Sequence, residues 1–189
     1  MPDWWIRYGQ PLYAAWDGSW FADFPSTADM AMWYYNTGDN LHAPVDGVIN
    51  IDISGFEYLI EALGSVYLPT YDETITINNF REVVYRIRVE GHSNDHKEFL
   101  AVLYNQVFTD WQSASIDPEQ NQAVLGALLR AIQEKHVMMY FANSSLNHAV
   151  ELLGWTGRQT DGIGHDYIMV ADANPVSYTH LTLPTNREV

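Results

Sequence analysis

The stretch VDGVINIDISGFEYLIEALG, residues 45–64, combines a strand pattern with a helix pattern. Every second residue over 49–53 is isoleucine, which is the two-residue period of a strand. Ser54 precedes Glu57 by three positions, the spacing of an N-terminal capping box, and Gly64 suits the left-handed position after a helix. Between them, apolar residues recur at helical spacing: Phe56, Leu59, Ile60 and Leu63. The stretch therefore predicts a strand followed directly by a capped amphipathic helix.

The rest of the chain repeats this alternation. Further helices are predicted to begin near residues 26, 79, 95, 118 and 144, with Asn78 and Asp117 as caps. Further strands are predicted over 66–68, 74–77, 136–142 and 167–171. Strands separated by helices favour α/β layers, in which helices cover the faces of a sheet. We predict one partial α/β domain over residues 1–174.

Composition limits the classes of function. Hydrophobic residues make up 47% and aromatic residues 14% of the 189 positions, which is typical of a globular chain with a core. The formal charge of −15 would repel phosphate backbones and anionic membrane surfaces, so nucleic acid is not an expected partner. The chain has no Cys, which excludes disulfides and thiolate metal sites. No run of about 18 apolar residues predicts a membrane span.

The two ends of the chain suggest that it is a fragment. Aromatic residues are dense from the start, so we expect the chain to begin inside a packed domain whose N-terminal side is missing: Trp4, Trp5, Tyr8, Tyr13, Trp16, Trp20 and Phe21. The sequence PVSYTHLTLPT at 175–185 resembles the translated end of a transposase-based sequencing adapter. We therefore expect residues 175–189 to be a non-native artefact tail, and the natural protein to continue past Asn174.

Three segments together resemble the bacterial domain of unknown function 4012 family. They are VDGVINIDISGFEYLIEALGSVYLPTYDETITINNF at 45–80, KHVMMYFANSSLNHAVELLGWTGR at 135–158 and HDYIMVADAN at 165–174. The resemblance extends over about residues 20–174 and corresponds to the C-terminal part of that domain. It implies an extracytoplasmic cell-envelope protein that is membrane-anchored through a segment upstream of this chain.

A more distant likeness links residues 45–66 and the RIR of 86–88 to the LytR-CpsA-Psr family. Enzymes of that family transfer glycopolymers from a lipid pyrophosphate carrier to the cell wall, which requires arginines for the pyrophosphate and carboxylates for a divalent metal. The likeness implies a LytR-CpsA-Psr-like layered fold and magnesium as a possible cofactor. Its anion-binding candidates are Arg81, Arg86 and Arg88, and its metal candidates are Asp52 and Asp95. The segment GHSNDHKEFL at 91–100 departs from the family's acidic motif and second arginine pair.

These candidates also have structural interpretations. Arg81 and Arg88 are seven residues apart and share a helix face, and Glu82 precedes Arg86 by four, so a solvated face with one weak ion pair explains them too. Asp52 lies where a carboxylate favours a helix N-terminus. His92 and His96 have the spacing of a metal pair but need a third ligand such as Asp95.

The glycine-rich connection GWTGRQTDGIG at 154–164 offers one more anion candidate, Arg158. Glycines there permit tight turns, and a turn alone is a sufficient explanation for them. The chain contains no P-loop, dinucleotide-binding or nucleophile-elbow motif, so nucleotide-binding and hydrolase functions lack support.

Three functions from different classes remain. The first is an uncharacterised extracytoplasmic envelope domain that binds glycan or another envelope component, with aromatic residues to stack on sugars. The second is a magnesium-dependent phosphotransferase that moves glycopolymer from a polyprenyl pyrophosphate carrier to the cell wall, which requires Arg86, Arg88 and Asp52 or Asp95 to converge. The third is a structural scaffold of a polysaccharide or export complex, which predicts an exposed apolar patch.

Overall fold

The structure is a computed structural model that describes residue 18 and residues 21–90, 95–114 and 117–159. The chain divides into two units, Met1–Gln159 and Thr160–Val189, and every described residue belongs to the first. The predicted strand over 167–171 and the predicted tail over 175–189 lie outside the described residues.

The described residues form a mixed α/β fold, as the sequence predicts. The helices are α1 (Phe24–Thr37), α2 (Ile53–Leu63), α3 (Phe80–Glu90), α4 (Asp95–Ala114), α5 (Pro118–Gln133) and α6 (Ser144–Leu152). The strands are β1 (Gly47–Ile51), β2 (Val66–Leu68), β3 (Glu73–Ile75) and β4 (Val137–Phe141). No helix of this described part is long and apolar enough to cross a bilayer.

The described strands form two small antiparallel sheets. Strand β1 pairs with β4, from Gly47 opposite Phe141 to Ile51 opposite Val137. Strand β2 pairs with β3 as a short hairpin around the turn that follows Leu68. The α/β class is thus confirmed, whereas a LytR-CpsA-Psr-like layered sheet with helices on its faces stays a prediction.

The start of α2 differs from the predicted capping box. Asp52, in an extended conformation, caps the helix, and its side chain accepts a hydrogen bond from the Gly55 amide at 2.9 Å. The prediction of Ser54 as the cap is wrong because the helix already begins at Ile53. A Cβ on Gly55 would lie 2.8 Å from Ile51 Cγ1, so this glycine lets the helix start close against the strand before it.

Other helix ends follow the sequence signals closely. Asp117 caps α5 as predicted, and Gly64 ends α2 with a φ of 82°, in the left-handed region. Helix α3 begins at Phe80. Asn79 rather than Asn78 makes the local contacts there, because its side chain accepts a hydrogen bond from the Thr76 amide at 2.7 Å.

Two clusters of buried side chains form the core. The larger one joins α2, β2, β3, α3, α4 and α5 through Phe56, Leu59, Ile60, Val66, Leu68, Ile75, Phe80, Val83, Phe99, Leu103, Val107 and Val124. The smaller one contains Ala131, Ile132 and Val137. Ile51, just before α2, and Leu128, on α5, pack against both clusters. The start of α2 therefore lies beside the loop that connects α5 to β4.

Candidate functional site

Asp52 and His136 connect the two chain segments that meet at the end of the β1–β4 sheet. The Asp52 amide donates to the His136 carbonyl at 3.0 Å, and Asp52 Oδ2 lies 2.8 Å from His136 Nδ1. Both carboxylate oxygens of Asp52 are therefore engaged, because Oδ1 already accepts from Gly55. Asp52 acts first as a structural group that fixes the histidine ring.

A second carboxylate lies on the other side of the ring. His136 Nε2 is 3.8 Å from Glu134 Oε2, and the His136 ring meets the Tyr58 ring edge-on with centroids 5.6 Å apart. The His136 side chain is 27% exposed, so solvent still reaches it. The imidazole is thus oriented between two carboxylates at the protein surface.

Tyr58, Arg130 and Glu134 complete the arrangement. The Tyr58 hydroxyl donates to Glu134 Oε2 at 2.6 Å, and Arg130 Nε donates to Glu134 Oε1 at 3.0 Å. The Arg130 guanidinium carbon lies 4.0 Å from the centroid of the Tyr58 ring, within cation–π range. We call Asp52, Tyr58, Arg130, Glu134 and His136 together the Tyr58 network.

The Tyr58 network fixes the protonation states of most of its members. Burial raises the pKa of the Asp52 carboxyl, but hydrogen bonds from Gly55 and His136 outweigh it, so that pKa lies below its ordinary value. The hydrogen bond from Tyr58, followed by the one from Arg130, lowers the pKa of Glu134, and the same Tyr58–Glu134 bond raises the pKa of Tyr58. At neutral pH the network holds two ionised carboxylates and a protonated phenol.

A surface groove opens beside the Tyr58 network, between α2 and α5. Its volume is about 300 Å³, at the lower end of the range for small-molecule sites. The lining residues are Tyr58, Glu61, Ala62, Ala123, Gly126, Ala127 and Arg130. Four of these residues are Ala or Gly, and the other three contribute an aromatic ring, a carboxylate and a guanidinium. The groove offers apolar surface and hydrogen-bonding groups to the same ligand.

Two of the predicted arginines on α3, Arg81 and Arg86, are already paired with carboxylates. Arg81 binds Glu57 with both Nε and Nη2, the latter at 2.6 Å. Arg86 Nη2 lies 2.7 Å from Glu73 Oε2 on β3. A phosphate would have to compete with these partners. Arg88 lies exposed on the same helix as the other two, and its role as an anion ligand stays a prediction.

Arg158 lies in the glycine-rich connection, which packs against the sheet. Arg158 Nε is 2.6 Å from Glu151 Oε1. Met139 donates its amide to the Trp155 carbonyl at 3.0 Å, and Gly157 adopts a φ of 61°. A Cβ at position 157 would lie 2.3 Å from Met138 Sδ, so only a glycine allows this backbone to pack so closely against Met138. The structural interpretation of this connection accounts for its described residues.

The metal prediction rests on residues that the structure describes only in part. The side chains of Asp95 and His96, and all of His92, lie outside the described residues. Among the side chains that are described, no group of three or more His, Asp or Glu is arranged to hold a metal ion. Magnesium at Asp52 and Asp95 therefore stays a prediction, and the donor oxygens of Asp52 have protein partners.

Residues 7–88 match the model of a family described as "Protein of unknown function (DUF4012)". The match includes all of α2 and one wall of the groove, but not α5, which supplies the other wall. It supports the resemblance to that family over these residues, a shorter stretch than the predicted 20–174. No curated protein and no solved structure matches the chain.

Proposed function

We propose that this chain is part of a bacterial extracytoplasmic envelope protein that binds glycan, or a glycan-bearing envelope component, in the groove between α2 and α5. The observation that carries the proposal is that Tyr58, Glu61 and Arg130 line one groove together with small apolar residues. The match of residues 7–88 to the family of unknown function is compatible with it.

Sugar rings present apolar C–H faces and a rim of hydroxyl groups. An aromatic ring covers the first, and charged side chains hydrogen-bond the second. Tyr58 is held by Glu134 and Arg130 before any ligand arrives, so little conformational entropy would be lost on binding. The groove is therefore suited to a small, partly polar ligand such as one or two sugar units.

The location outside the cytoplasm is proposed from the resemblance to envelope proteins. In the full-length protein a membrane anchor upstream of Met1 would hold the domain outside the cytoplasm. Cell-wall glycan or a polyprenyl pyrophosphate-linked glycan would then be the ligand.

The magnesium-dependent phosphotransferase is the second candidate, and one observation favours it. The hydrogen bonds that Arg81 donates to Glu57 are the largest cause of the raised pKa of Arg81, and the charge of Asp52 adds to the rise, so Arg81 and Asp52 interact electrostatically. The ion pair between Arg81 and Glu57 counts against this candidate.

The scaffold function has weaker support. Tyr85 and Val89 lie one turn apart on α3 and are 68% and 61% exposed. Other exposed apolar side chains of the described part lie on α5, at Leu125 and Leu129, and at the end of α6, at Leu152 and Leu153, so this exposure is spread over several elements.

The test is calorimetric binding of a tetramer of N-acetylglucosamine to the full chain and to groove variants. In Gly126→Leu a larger side chain enters the groove, and the fold can accept it because nothing lies within 4 Å of a Cβ at this position. We expect Gly126→Leu to weaken binding at least tenfold, and the matched variant Gly126→Ala to retain most of it. Wild-type affinity in Gly126→Leu, with an unchanged circular dichroism spectrum, would exclude the groove as the site.

A parallel titration with a short polyprenyl pyrophosphate, with and without magnesium, tests the phosphotransferase. Magnesium-dependent binding that is lost in Arg86→Ala or Arg88→Ala would favour that function over glycan binding alone. Absence of binding by folded wild-type protein would exclude it.

A further inference from the structure

The three polar side chains that line the groove differ in whether they already have a hydrogen-bond partner within the protein. Arg130 and Tyr58 are both bound to Glu134. The Glu61 carboxylate, by contrast, makes no hydrogen bond or ion pair with any described residue, although its charge contributes to the raised pKa of Arg130. Glu61 is thus the groove's available ligand-binding group.

An ionised carboxylate accepts hydrogen bonds and donates none. Its complement is a hydroxyl or, more strongly, an ammonium group, because a charged donor adds Coulomb attraction to the hydrogen bond. The charges around the groove favour a cation as well, since Arg130 forms its ion pair with Glu134, and Glu61 forms none with a described residue. A phosphate would meet repulsion from Glu61 and from a chain with a formal charge of −15.

We propose that the groove selects amino sugars whose amine is free, with Glu61 binding the ammonium group. This inference rests on the proposed glycan-binding function and specifies its ligand. It also separates the groove from the arginines of α3, because a phosphate-bearing carrier would have to bind elsewhere on the molecule.

The experiment compares a tetramer of glucosamine with a tetramer of N-acetylglucosamine, titrated into the full chain at pH 6 and low salt. Glu61 is exposed, so we expect a modest preference of about threefold to fivefold for the free amine. The preference should narrow as salt is raised, because salt screens exposed charges. In Glu61→Gln, which preserves the side-chain shape, most of the preference for the free amine should be lost.

Glu98→Gln is the matched control. It removes the same charge from an exposed position on α4 that does not line the groove, and it should leave the preference intact. This control matters because any acidic protein attracts a cationic oligosaccharide to some extent.

The outcomes separate the two proposals. If neither tetramer binds to folded protein, the glycan-binding function itself is wrong. If both bind equally to wild type, or if Glu98→Gln loses the preference as fully as Glu61→Gln, groove binding stands and the amino-sugar inference is overturned. Displacement of the neutral N-acetylglucosamine tetramer by inorganic pyrophosphate would also overturn it, because it would show that the groove binds an anion.

Discussion

Replacing Asp52 by alanine tests the joint between α2 and the β1–β4 sheet, by which we mean the contacts of Asp52 with Gly55 and His136. The change removes the cap of α2, which contributes about 1 kcal/mol to stability. It also removes the hydrogen bond to His136 at 2.8 Å. We expect this bond to contribute about 0.5–1 kcal/mol to stability, a low value because the Asp52 side chain is 49% exposed to solvent. The free energy of unfolding should fall by about 1.5–2 kcal/mol, which lowers Tm by roughly 3–8 °C in a chain of this size.

The assay is urea denaturation followed by circular dichroism, repeated from pH 7 to pH 3. Asp52 has a pKa below its ordinary value of 3.8 in the folded state. A carboxyl of this kind contributes stability that is present above its unfolded-state pKa and is lost as pH falls through its folded-state pKa. The difference between wild type and Asp52→Ala should therefore be present at neutral pH and shrink below about pH 4.

Ser54→Ala is the control, because the sequence alone assigns the cap to Ser54. The Ser54 hydroxyl has no hydrogen bond to a described residue, so its loss should change the free energy of unfolding by less than about 0.5 kcal/mol. If Ser54→Ala is as destabilising as Asp52→Ala, the helix begins at the capping box and our account of the joint is wrong.

Further predictions concern two glycines and Tyr58. Gly157→Ala should lower the free energy of unfolding by about 1–3 kcal/mol, because Gly157 has a φ of 61° and an added Cβ would crowd Met138. Gly126→Ala should raise it by roughly 0.5–1 kcal/mol, because Gly126 lies within a helix and an added Cβ would meet no atom within 4 Å. Urea denaturation measures both variants, and equal effects would contradict these different roles of the two glycines. Tyr58→Phe removes the hydrogen bond that the Tyr58 hydroxyl donates to Glu134, so a spectroscopic pH titration should show a higher pKa for the Glu134 carboxyl. An unchanged Glu134 titration would show that the hydroxyl does not lower that pKa.

The local elements were predictable because short-range patterns determine them. The alternation before Asp52, the amphipathic period of α2 and the Asp117–Pro118 start of α5 all lie in windows of fewer than 20 residues, and each is present in the structure. The cap of α2 was mispredicted because two adjacent signals compete there. Asp52 and Ser54 both suit an N-cap, and the approach of Ile51 and His136 to Gly55 favours the earlier start.

The candidate site was not predictable from the sequence, because its halves come from distant segments. Asp52 and Tyr58 belong to one, and Arg130, Glu134 and His136 to the other. Had the pairing of Ile51 with Val137 been known, Asp52 and His136 would follow as neighbours one residue beyond that pair. The arginines were predicted as anion ligands because of their charge. The sequence does not show that three of them pair with carboxylates of Glu57, Glu73 and Glu151.

The pairing of β1 with β4 also has a consequence for the order of folding. The contact between Asp52 and His136 spans 84 positions, and the main core is built from the chain between them. Closing so long a loop in an unfolded chain costs more entropy than closing it around a collapsed core. We therefore expect this core to condense first and the β1–β4 ladder to join late. Substitutions at the joint would then accelerate unfolding more than they slow folding.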